Sequence, residues 1–266
     1  MPHSNGQSPN SPAISVVVPV RNEAGNVAPL VAEIAAALQG RAFEIVYVDD
    51  GSMDTTADEL RGLMAQHPWL RQIRHAQSCG QSAAVRSGVA AARAPIVVTL
   101  DGDGQNDPAY LPALIAVLEA GAPRLGLVAG QRTGRKSTGF KRLQSRIANG
   151  VRSAVLKDGT RDTGCGLKAF RRDLFLTLPY FDGLHRFLPA LVRREGFDVG
   201  YVDVVDRPRR HGTSNYGFFD RLWVGILDLA GVWWLIRRKK RMVKRPWATK
   251  PRNTHQSSLV MKTSCK

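Results

Sequence analysis

Cysteine is scarce in this chain, which contains three cysteines among its 266 residues. Cys79, Cys165 and Cys265 lie far apart, and none of them belongs to a Cys-x-x-Cys pair. A disulfide-stapled fold or a cysteine-based zinc site needs paired or closely spaced thiols, so the sequence argues against both. Few and scattered cysteines are typical of a reducing compartment, and we expect a cytoplasmic protein.

Two common nucleotide-binding motifs are also missing. The stretch "GRKS" has Arg135 where a Walker A loop needs glycine, and no Gly-x-Gly-x-x-Gly follows the first predicted strand. P-loop sites and dinucleotide sites are therefore unsupported. The opening stretch "MPHSNGQSPNSPA" lacks the basic and apolar regions of a signal peptide, so we expect a disordered lead over residues 1–12.

Acidic residues are absent from residues 237–266, which contain 11 of the 38 Lys and Arg residues. Before this tail, Leu222 to Ile236 is apolar apart from Asp228, and it is shorter than the ~20 residues that span a bilayer. Its tryptophans and the cations that follow predict a membrane-surface helix over 217–241 and a disordered basic tail over 242–266. A helix buried on the core is the alternative, and the tail alone attracts nucleic acid or anionic lipid equally well.

The residues before the tail alternate between short β-branched runs and helical segments. "ISVVVPV", "FEIVYVDD", "LRQIRHA", "PIVVTL" and "LGLVAG" are typical of strands. With 43% hydrophobic residues, the chain can bury a large core. Strands separated by helices predict an α/β domain over residues 13–216, with a mainly parallel central sheet flanked by helices.

Charged side chains follow several of these strands, at the point where each strand ends. Asp49 and Asp50 close the second strand, Asp101 and Asp103 close the fourth, and "RNE" closes the first. Ligands of open α/β sheets bind at the carboxyl ends of the strands, so we expect these groups to meet at one edge. Neighbouring carboxylates repel one another unless a cation joins them.

The stretch "LDGDGQNDP" therefore predicts a divalent-metal site for a phosphorylated substrate, with Asp101, Asp103 and Gln105 as ligands. Mg²⁺ and Mn²⁺ both prefer such oxygen ligands together with substrate phosphates. Gly102 allows the main chain to approach the ligand closely. Converging carboxylates repel a phosphate backbone, so we expect no nucleic acid at this edge.

Six segments resemble the family 2 glycosyltransferases and stand in the order typical of that family: "VVVPVRNEAGNV", "EIVYVDDGSMDTT", "LDGDGQNDP", "AGQR", "DTGCGLKAF" and "GTSNYG". The chain is most similar to the dolichyl-phosphate mannose synthase-like branch, from about Ile14 to Ile236. The resemblance implies the GT-A fold. It also implies transfer of a sugar from a nucleotide sugar, GDP-mannose or a UDP-sugar, to dolichyl, undecaprenyl or another polyprenyl phosphate.

The resemblance also implies which residues bind the nucleotide and the metal. The implied nucleotide contacts are Pro19, Arg21, Glu23, Val48 and Asp50. Many relatives have tyrosine in place of Arg21. The implied metal and diphosphate loop consists of Asp101, Gly102, Asp103 and Gln105. Its glycine stands where the family usually has alanine.

Three arginines, Arg132, Arg146 and Arg209, match an anion clamp, and Asp162 matches a recurrent acid before the turn in "DTGCG". With Asp103, these are the implied catalytic residues. A phosphate monoester acceptor is largely ionised at pH 7, so it needs cationic positioning rather than a strong base. Arginines suit that task, and in-line attack at the anomeric carbon predicts inversion.

A polyprenyl phosphate lies in a bilayer, so we expect a peripheral protein on the inner face of the membrane, docked on anionic lipid or on a membrane protein partner. Two other functions stay open. One is a transferase of the same fold with a saccharide or lipid hydroxyl as acceptor. The other is a nucleic-acid-binding protein that uses the basic tail.

Overall fold

Strands and helices alternate through the first half of the chain in the computed structural model, which describes residues 11–133, 150, 152, 154–156, 158–208 and 218–238. The β-branched runs form the strands because their stiff side chains pack well on a pleated surface. The elements are β1 (Ile14–Val20), α1 (Val27–Ala37), β2 (Phe43–Asp49), α2 (Thr56–Met64), β3 (Leu70–Arg74), α3 (Gln81–Ala91) and β4 (Ile96–Thr99).

After β4 a short loop leads into a 3₁₀ turn, Pro108–Tyr110, in which Asp107 caps the main-chain N–H of Ala109 at 2.8 Å. The helix that follows has proline in its first turn, where the missing N–H is tolerated. The elements of this half are α4 (Leu111–Ala120), β5 (Leu125–Arg132), β6 (Lys168–Arg171), α5 (Arg172–Thr177), α6 (Leu184–Arg194), β7 (Asp198–Val204) and α7 (Phe218–Arg238).

The described strands form one sheet in the order β3-β2-β1-β4-β6-β5-β7. β6 runs antiparallel to both neighbours, and the other neighbouring strands pair in parallel. The predicted mainly parallel sheet is confirmed. The carboxyl ends of β1, β2 and β4 lie at one edge, and the reversed β6 brings its first residue, Lys168, to that edge opposite Thr99.

Helices cover both faces of the sheet. In β1, Val16 and Val18 pack into the core cluster that contains α1, α2 and α4, whereas Val17 packs into the cluster that contains α3, α5 and α6. A strand buried on both faces needs a continuous apolar run, which is what "ISVVVPV" provides. The core thus holds the strand ends rigidly at the edge where the charged residues lie.

The last described helix, α7, packs against α6 along one side. Val232 is 1% exposed, and Leu229 and Ile236 pack on the cluster that contains α6. Arg194, the last residue of α6, donates a hydrogen bond of 3.0 Å from Nε to the carbonyl of Leu235. At about 100° per residue, these positions share one face of the helix.

The opposite face of α7 is apolar and exposed. Ile226, Leu227, Trp233 and Trp234 are 48%, 70%, 39% and 51% exposed. Within the described ranges, no helix has both the length and the apolar character needed to cross a bilayer. The predicted membrane-surface segment 217–241 contains α7, whereas the predicted tail 242–266 and residues 1–10 of the predicted lead lie outside the described residues.

Candidate active site

The loop after β4 brings together the first two acids of the predicted metal site. Asp101 Oδ1 accepts a hydrogen bond of 2.8 Å from Gln81 Nε2, and its main-chain N–H donates to Asn106 Oδ1 at 3.0 Å. Burial, and then the charge of Asp103, raise the pKa of Asp101 to about 6. A divalent cation relieves both effects, so this oxygen donor set fits Mg²⁺ or Mn²⁺.

Two glycines provide the space that this loop requires. A Cβ atom on Gly102 would lie 2.2 Å from Val20 Cγ1, so the loop packs directly against the end of β1. A Cβ atom on Gly166 would lie 2.5 Å from Asp101 Cγ and Oδ2. Alanine, which the family usually has at position 102, does not fit here unless Val20 moves.

An arginine that the sequence did not single out braces the rest of the loop. Arg207 pairs with Asp107 at 2.5 Å and with Glu33 of α1 at 2.6 Å, and its main-chain N–H donates to the Gln105 carbonyl at 2.8 Å. The N–H of Gln105 donates to Asp103 Oδ1 at 3.1 Å. The third acid of the loop, Asp107, is thus neutralised by arginine, and Asp101 and Asp103 stay the predicted metal carboxylates.

Arg132, predicted to belong to an anion clamp, is paired with two carboxylates in the structure. Its Nε and Nη2 groups donate to the two oxygens of Asp162, and Nη1 donates to Asp206 Oδ2 at 3.1 Å. Burial alone would lower the pKa of Arg132, but the two carboxylates raise it above its ordinary value. Arg132 therefore joins β5 to the Asp162 turn. If Arg132 bound a phosphate instead, a largely buried ion pair would have to break, which is costly. Arg146 and Arg209 lie outside the described residues.

Asp50, predicted to contact the nucleotide, is 5% exposed and organises the loop before α3. It accepts hydrogen bonds from Ser78 Oγ at 2.7 Å and from the N–H groups of Cys79 and Gly80 at 2.8 and 2.9 Å. His75 Nδ1 lies 2.7 Å from the same carboxylate. Burial alone would raise the pKa of Asp50, but these hydrogen bonds lower it. The carboxylate thus fixes the start of α3. The first side chain of this helix, Gln81, binds Asp101 in the loop of residues 101–107, which we call the acid loop.

A second group of possible metal ligands surrounds this carboxylate. Asp50, His75 and Cys79 each offer one ligand atom, and these atoms lie within 4.8 Å of one another. Both ring nitrogens of His75 are already engaged, Nδ1 by Asp50 and Nε2 by Ser87 Oγ at 3.0 Å. A metal ion would have to displace these bonds, so the acid loop after β4 is the better metal site.

The other residues that were predicted to contact the nucleotide differ in their exposure and in their distance from the acid loop. Arg21 is exposed and Glu23 half-buried on the turn after β1, at the edge where the acid loop lies. Pro19 lines a cavity beside Asp101. The side chain of Val48 is fully buried and packs on α3, and its contact with the nucleotide stays a prediction.

The cavity beside Asp101 measures about 120 Å³ and lies between the end of β4 and the first turn of α6. Lys168, His185 and Arg186 contribute to its lining. Lys168 is 4% exposed, and burial lowers its pKa. Burial also lowers the pKa of His185 to about 3, so its ring is neutral, with Nδ1 2.8 Å from Ser82 Oγ. The cavity thus joins a carboxylate to two cations and a neutral imidazole.

Sequence reasoning missed these cavity residues as a group. Lys168 lies inside the motif "DTGCGLKAF", so a signal was present, but only the reversed direction of β6 brings it to the edge. His185 and Arg186 stand outside the six motif segments, so the sequence alone gave no signal for them. His185 and Arg186 approach Asp101 because of how α6 packs, and a local sequence pattern does not predict such packing.

Comparison with protein families identifies the class of protein. The family model described as glycosyl transferase family 2 matches residues 15–178, more than half of the chain. The chain belongs to this family. The matched residues begin in β1 and end just after α5, so they include the acid loop and the Asp162 turn. The resemblance drawn from the six segments is confirmed.

Curated relatives of this family 2 chain are polyprenyl-phosphate sugar transferases. A dodecaprenyl-phosphate galacturonate synthase from Rhizobium johnstonii is 35% identical over 234 residues, which cover 86% of this chain and 68% of the relative. An undecaprenyl-phosphate 4-deoxy-4-formamido-L-arabinose transferase from Edwardsiella ictaluri is 32% identical over 208 residues, which cover 77% and 63%. The chain thus spans about two thirds of the length of these relatives.

Solved structures of other sugar transferases share the fold. Glucosyl-3-phosphoglycerate synthase from Mycobacterium tuberculosis, in complex with Mn²⁺, UDP-glucose and glycerol 3-phosphate, aligns with a TM-score of 0.63 at 21% identity, covering 85% of this chain and 80% of that one. Mannosyl-3-phosphoglycerate synthase from Rubrobacter xylanophilus aligns with a TM-score of 0.64 at 18% identity, covering 89% and 78%. The predicted GT-A fold of the family 2 domain is confirmed.

Proposed function

We propose that this family 2 glycosyltransferase moves a sugar from a nucleotide sugar to a polyprenyl phosphate, with inversion at the anomeric carbon. One observation carries the proposal: the acid loop and a cavity lined by Lys168 and Arg186 meet at Asp101. The named activities of the two curated relatives support this acceptor class. We favour UDP as the nucleotide, because glucosyl-3-phosphoglycerate synthase was solved with UDP-glucose on the same fold.

The leaving group is assigned to the acid loop. Asp101, Asp103 and Gln105 would hold Mg²⁺ or Mn²⁺, which neutralises the charge that develops on the leaving nucleoside diphosphate. Asp50 and Arg21, at the ends of the adjacent strands, would bind the nucleoside. The segment before α3 links the nucleoside end of this site to the diphosphate end. Asp50 binds the N–H of Gly80, and the next residue, Gln81, donates a hydrogen bond to Asp101 in the acid loop.

The cavity suits an anionic nucleophile. A neutral hydroxyl acceptor would need a base to remove its proton, and the neutral His185 is a weak one because burial lowers its pKa to about 3. A phosphate monoester is already ionised at pH 7 and needs only charge compensation, which Lys168 and Arg186 can supply. The acceptor oxygen bonds to the anomeric carbon while the bond from that carbon to the diphosphate breaks, with its electron pair leaving on the diphosphate.

We propose that the protein reaches the lipid acceptor from the surface of the membrane at its inner face. The proposed domain limits are those expected from the sequence. The exposed face of α7 offers Leu227, Trp233 and Trp234 for burial at the headgroup boundary. Arg237 and Arg238 stack over these two tryptophans, at 4.3 and 5.4 Å from the ring centroids. Each basic residue near an anionic surface contributes about 1 kcal/mol, so the cations that follow α7 strengthen the docking.

The decisive test is acceptor choice by the purified full chain with Mn²⁺. A panel of UDP- and GDP-sugars is offered with a short polyprenyl phosphate or with the matching polyprenol, and the lipid product is identified by mass. We expect product only with the phosphate, and a loss of orders of magnitude in Asp103→Ala with an unchanged circular dichroism spectrum. Product formed only with hydroxyl acceptors would refute the proposal.

A further inference from the structure

Arg186 stands apart from the other arginines of the site. It lies in the first turn of α6, lines the cavity beside Asp101, and is exposed. Among the described residues, its guanidinium makes no hydrogen bond and no ion pair, whereas Arg132 is held by two carboxylates. Its donors are therefore available to a ligand in the cavity.

Asp228, the acid in the middle of the apolar part of α7, lies next to the start of α6. A Cβ atom on Gly183, the residue before α6, would lie 2.7 Å from Asp228 Oδ2, so this carboxylate touches the glycine. Gly183 adopts φ 88°, a conformation that favours glycine, which permits this close approach. Burial raises the pKa of Asp228, and the nearby Arg186 charge opposes that rise. Asp228 thus faces the turn that presents Arg186.

The two faces of α7 now have different neighbours. Asp228 shares the inner face with Leu229 and Val232, which pack towards α6. Leu227 and Trp234 lie on the outer face, exposed. One helix therefore contacts the wall of the cavity on one side and, in the function proposed above, a bilayer on the other.

We propose that Arg186 binds the phosphate head group of the lipid acceptor and that Asp228 is a positioning residue, which holds the start of α6 so that Arg186 faces the cavity. This inference rests on the proposed polyprenyl-phosphate acceptor. Arg186 is assigned to the acceptor and not to the donor because it stands on the α6 side, next to the helix with the exposed apolar face. Asp101, on the β4 side, belongs to the diphosphate.

Binding of a soluble acceptor mimic tests Arg186 without turnover. Farnesyl phosphate and farnesol are titrated by calorimetry into the full chain loaded with Mg²⁺ and UDP. We expect the wild type to prefer the phosphate, and Arg186→Gln to lose roughly 10- to 100-fold of that preference, as expected for a charged hydrogen-bonding partner. Affinity for UDP stays unchanged. The matched control is Arg193→Gln, an exposed arginine in the last turn of the same helix.

The variant Asp228→Asn distinguishes a positioning role of Asp228 from a purely electrostatic one. If Asp228 acted only as a negative charge near the cavity, its neutralisation would strengthen phosphate binding. Positioning predicts the opposite, a three- to tenfold weaker affinity for farnesyl phosphate with unchanged UDP affinity and an unchanged melting temperature within about 2 °C. Vesicle binding stays at the wild-type level, because Asp228 lies on the inner face.

The outcomes distinguish the two proposals. A wild type that prefers phosphate, combined with an Arg186→Gln variant that keeps the full preference, overturns the role of Arg186 and leaves the proposed function intact. A wild type without preference for the phosphate overturns the proposed function and this inference together. Stronger phosphate binding in Asp228→Asn overturns the positioning role. Arg186→Lys keeps the charge, and we expect it to retain part of the preference, which excludes misfolding as the cause.

Discussion

Replacing Asp101 by asparagine is expected to stabilise the metal-free protein while it abolishes metal binding. The pKa of Asp101 is raised from 3.8 to about 6, so its charge opposes folding at neutral pH. A difference of this size corresponds to roughly 3 kcal/mol at pH 7. Since the side chain is only partly removed from solvent, we expect a gain of about 1–2 kcal/mol, equivalent to roughly 2–8 °C in melting temperature.

The direction with pH follows from the same shift. A carboxyl whose pKa is raised on folding contributes most to stability below its unfolded pKa, near 4, and loses that contribution as the pH rises through about 6. Melting temperatures of wild type and Asp101→Asn, measured by calorimetry from pH 4 to 8 with EDTA, should therefore diverge as the pH increases. Mn²⁺ titrations followed by electron paramagnetic resonance should show tight binding by the wild type and weak binding by Asp101→Asn.

Asp107→Asn is the matched control within the same loop. Asp107 pairs with Arg207 and caps the 3₁₀ turn, so its neutralisation is expected to lower stability by about 0.5–1 kcal/mol. An Asp101→Asn variant that melts below the wild type at pH 7.5 without metal, or that binds Mn²⁺ as the wild type does, would contradict the assignment of a strained carboxylate to the metal.

Three further perturbations test separate parts of the structure. Gly166→Ala forces a Cβ atom to 2.5 Å from the Asp101 carboxylate and is expected to weaken Mn²⁺ binding more than tenfold. In the control Gly62→Ala, inside α2, the new Cβ meets no neighbour within 4 Å, and we expect it to raise the free energy of unfolding in urea by about 0.5–1 kcal/mol. Glu44→Ala, which leaves a buried network without its acceptor, is expected to lower the unfolding free energy by about 3–5 kcal/mol, with Mn²⁺ affinity retained. Leu227→Ser combined with Trp234→Ser is expected to reduce sedimentation with anionic vesicles without changing UDP affinity, and unchanged sedimentation would exclude the exposed face of α7 as the docking surface.

The sheet was largely predictable because strands buried on both faces leave a continuous apolar run. "ISVVVPV" and "FEIVYVD" form β1 and β2 as predicted. The reversed direction of β6 was not predictable, since a run of four residues carries no mark of which way a strand runs. Direction is set by the packing of distant segments.

The site was predictable where its residues are local in sequence. Asp101 and Asp103 stand two residues apart after one strand, and spacing alone brought them together. One of the two partners of Arg132 is Asp206, 74 residues away, and no local pattern shows such a pair. Val48 was assigned to the nucleotide by its motif, and the structure places it with Val46 in the core cluster that contains α3.

The reversal of β6 has a consequence for the segment that precedes it. β5 ends at Arg132 and β6 starts at Lys168, and both points lie on the substrate side of the sheet because the two strands are antiparallel. The insert 133–167 therefore leaves from and returns to the edge of the sheet where Asp101 lies. A change of length inside it need not shift the register of any strand, whereas a change at its end alters the surroundings of Asp101, because a Cβ atom on Gly166 would meet that carboxylate.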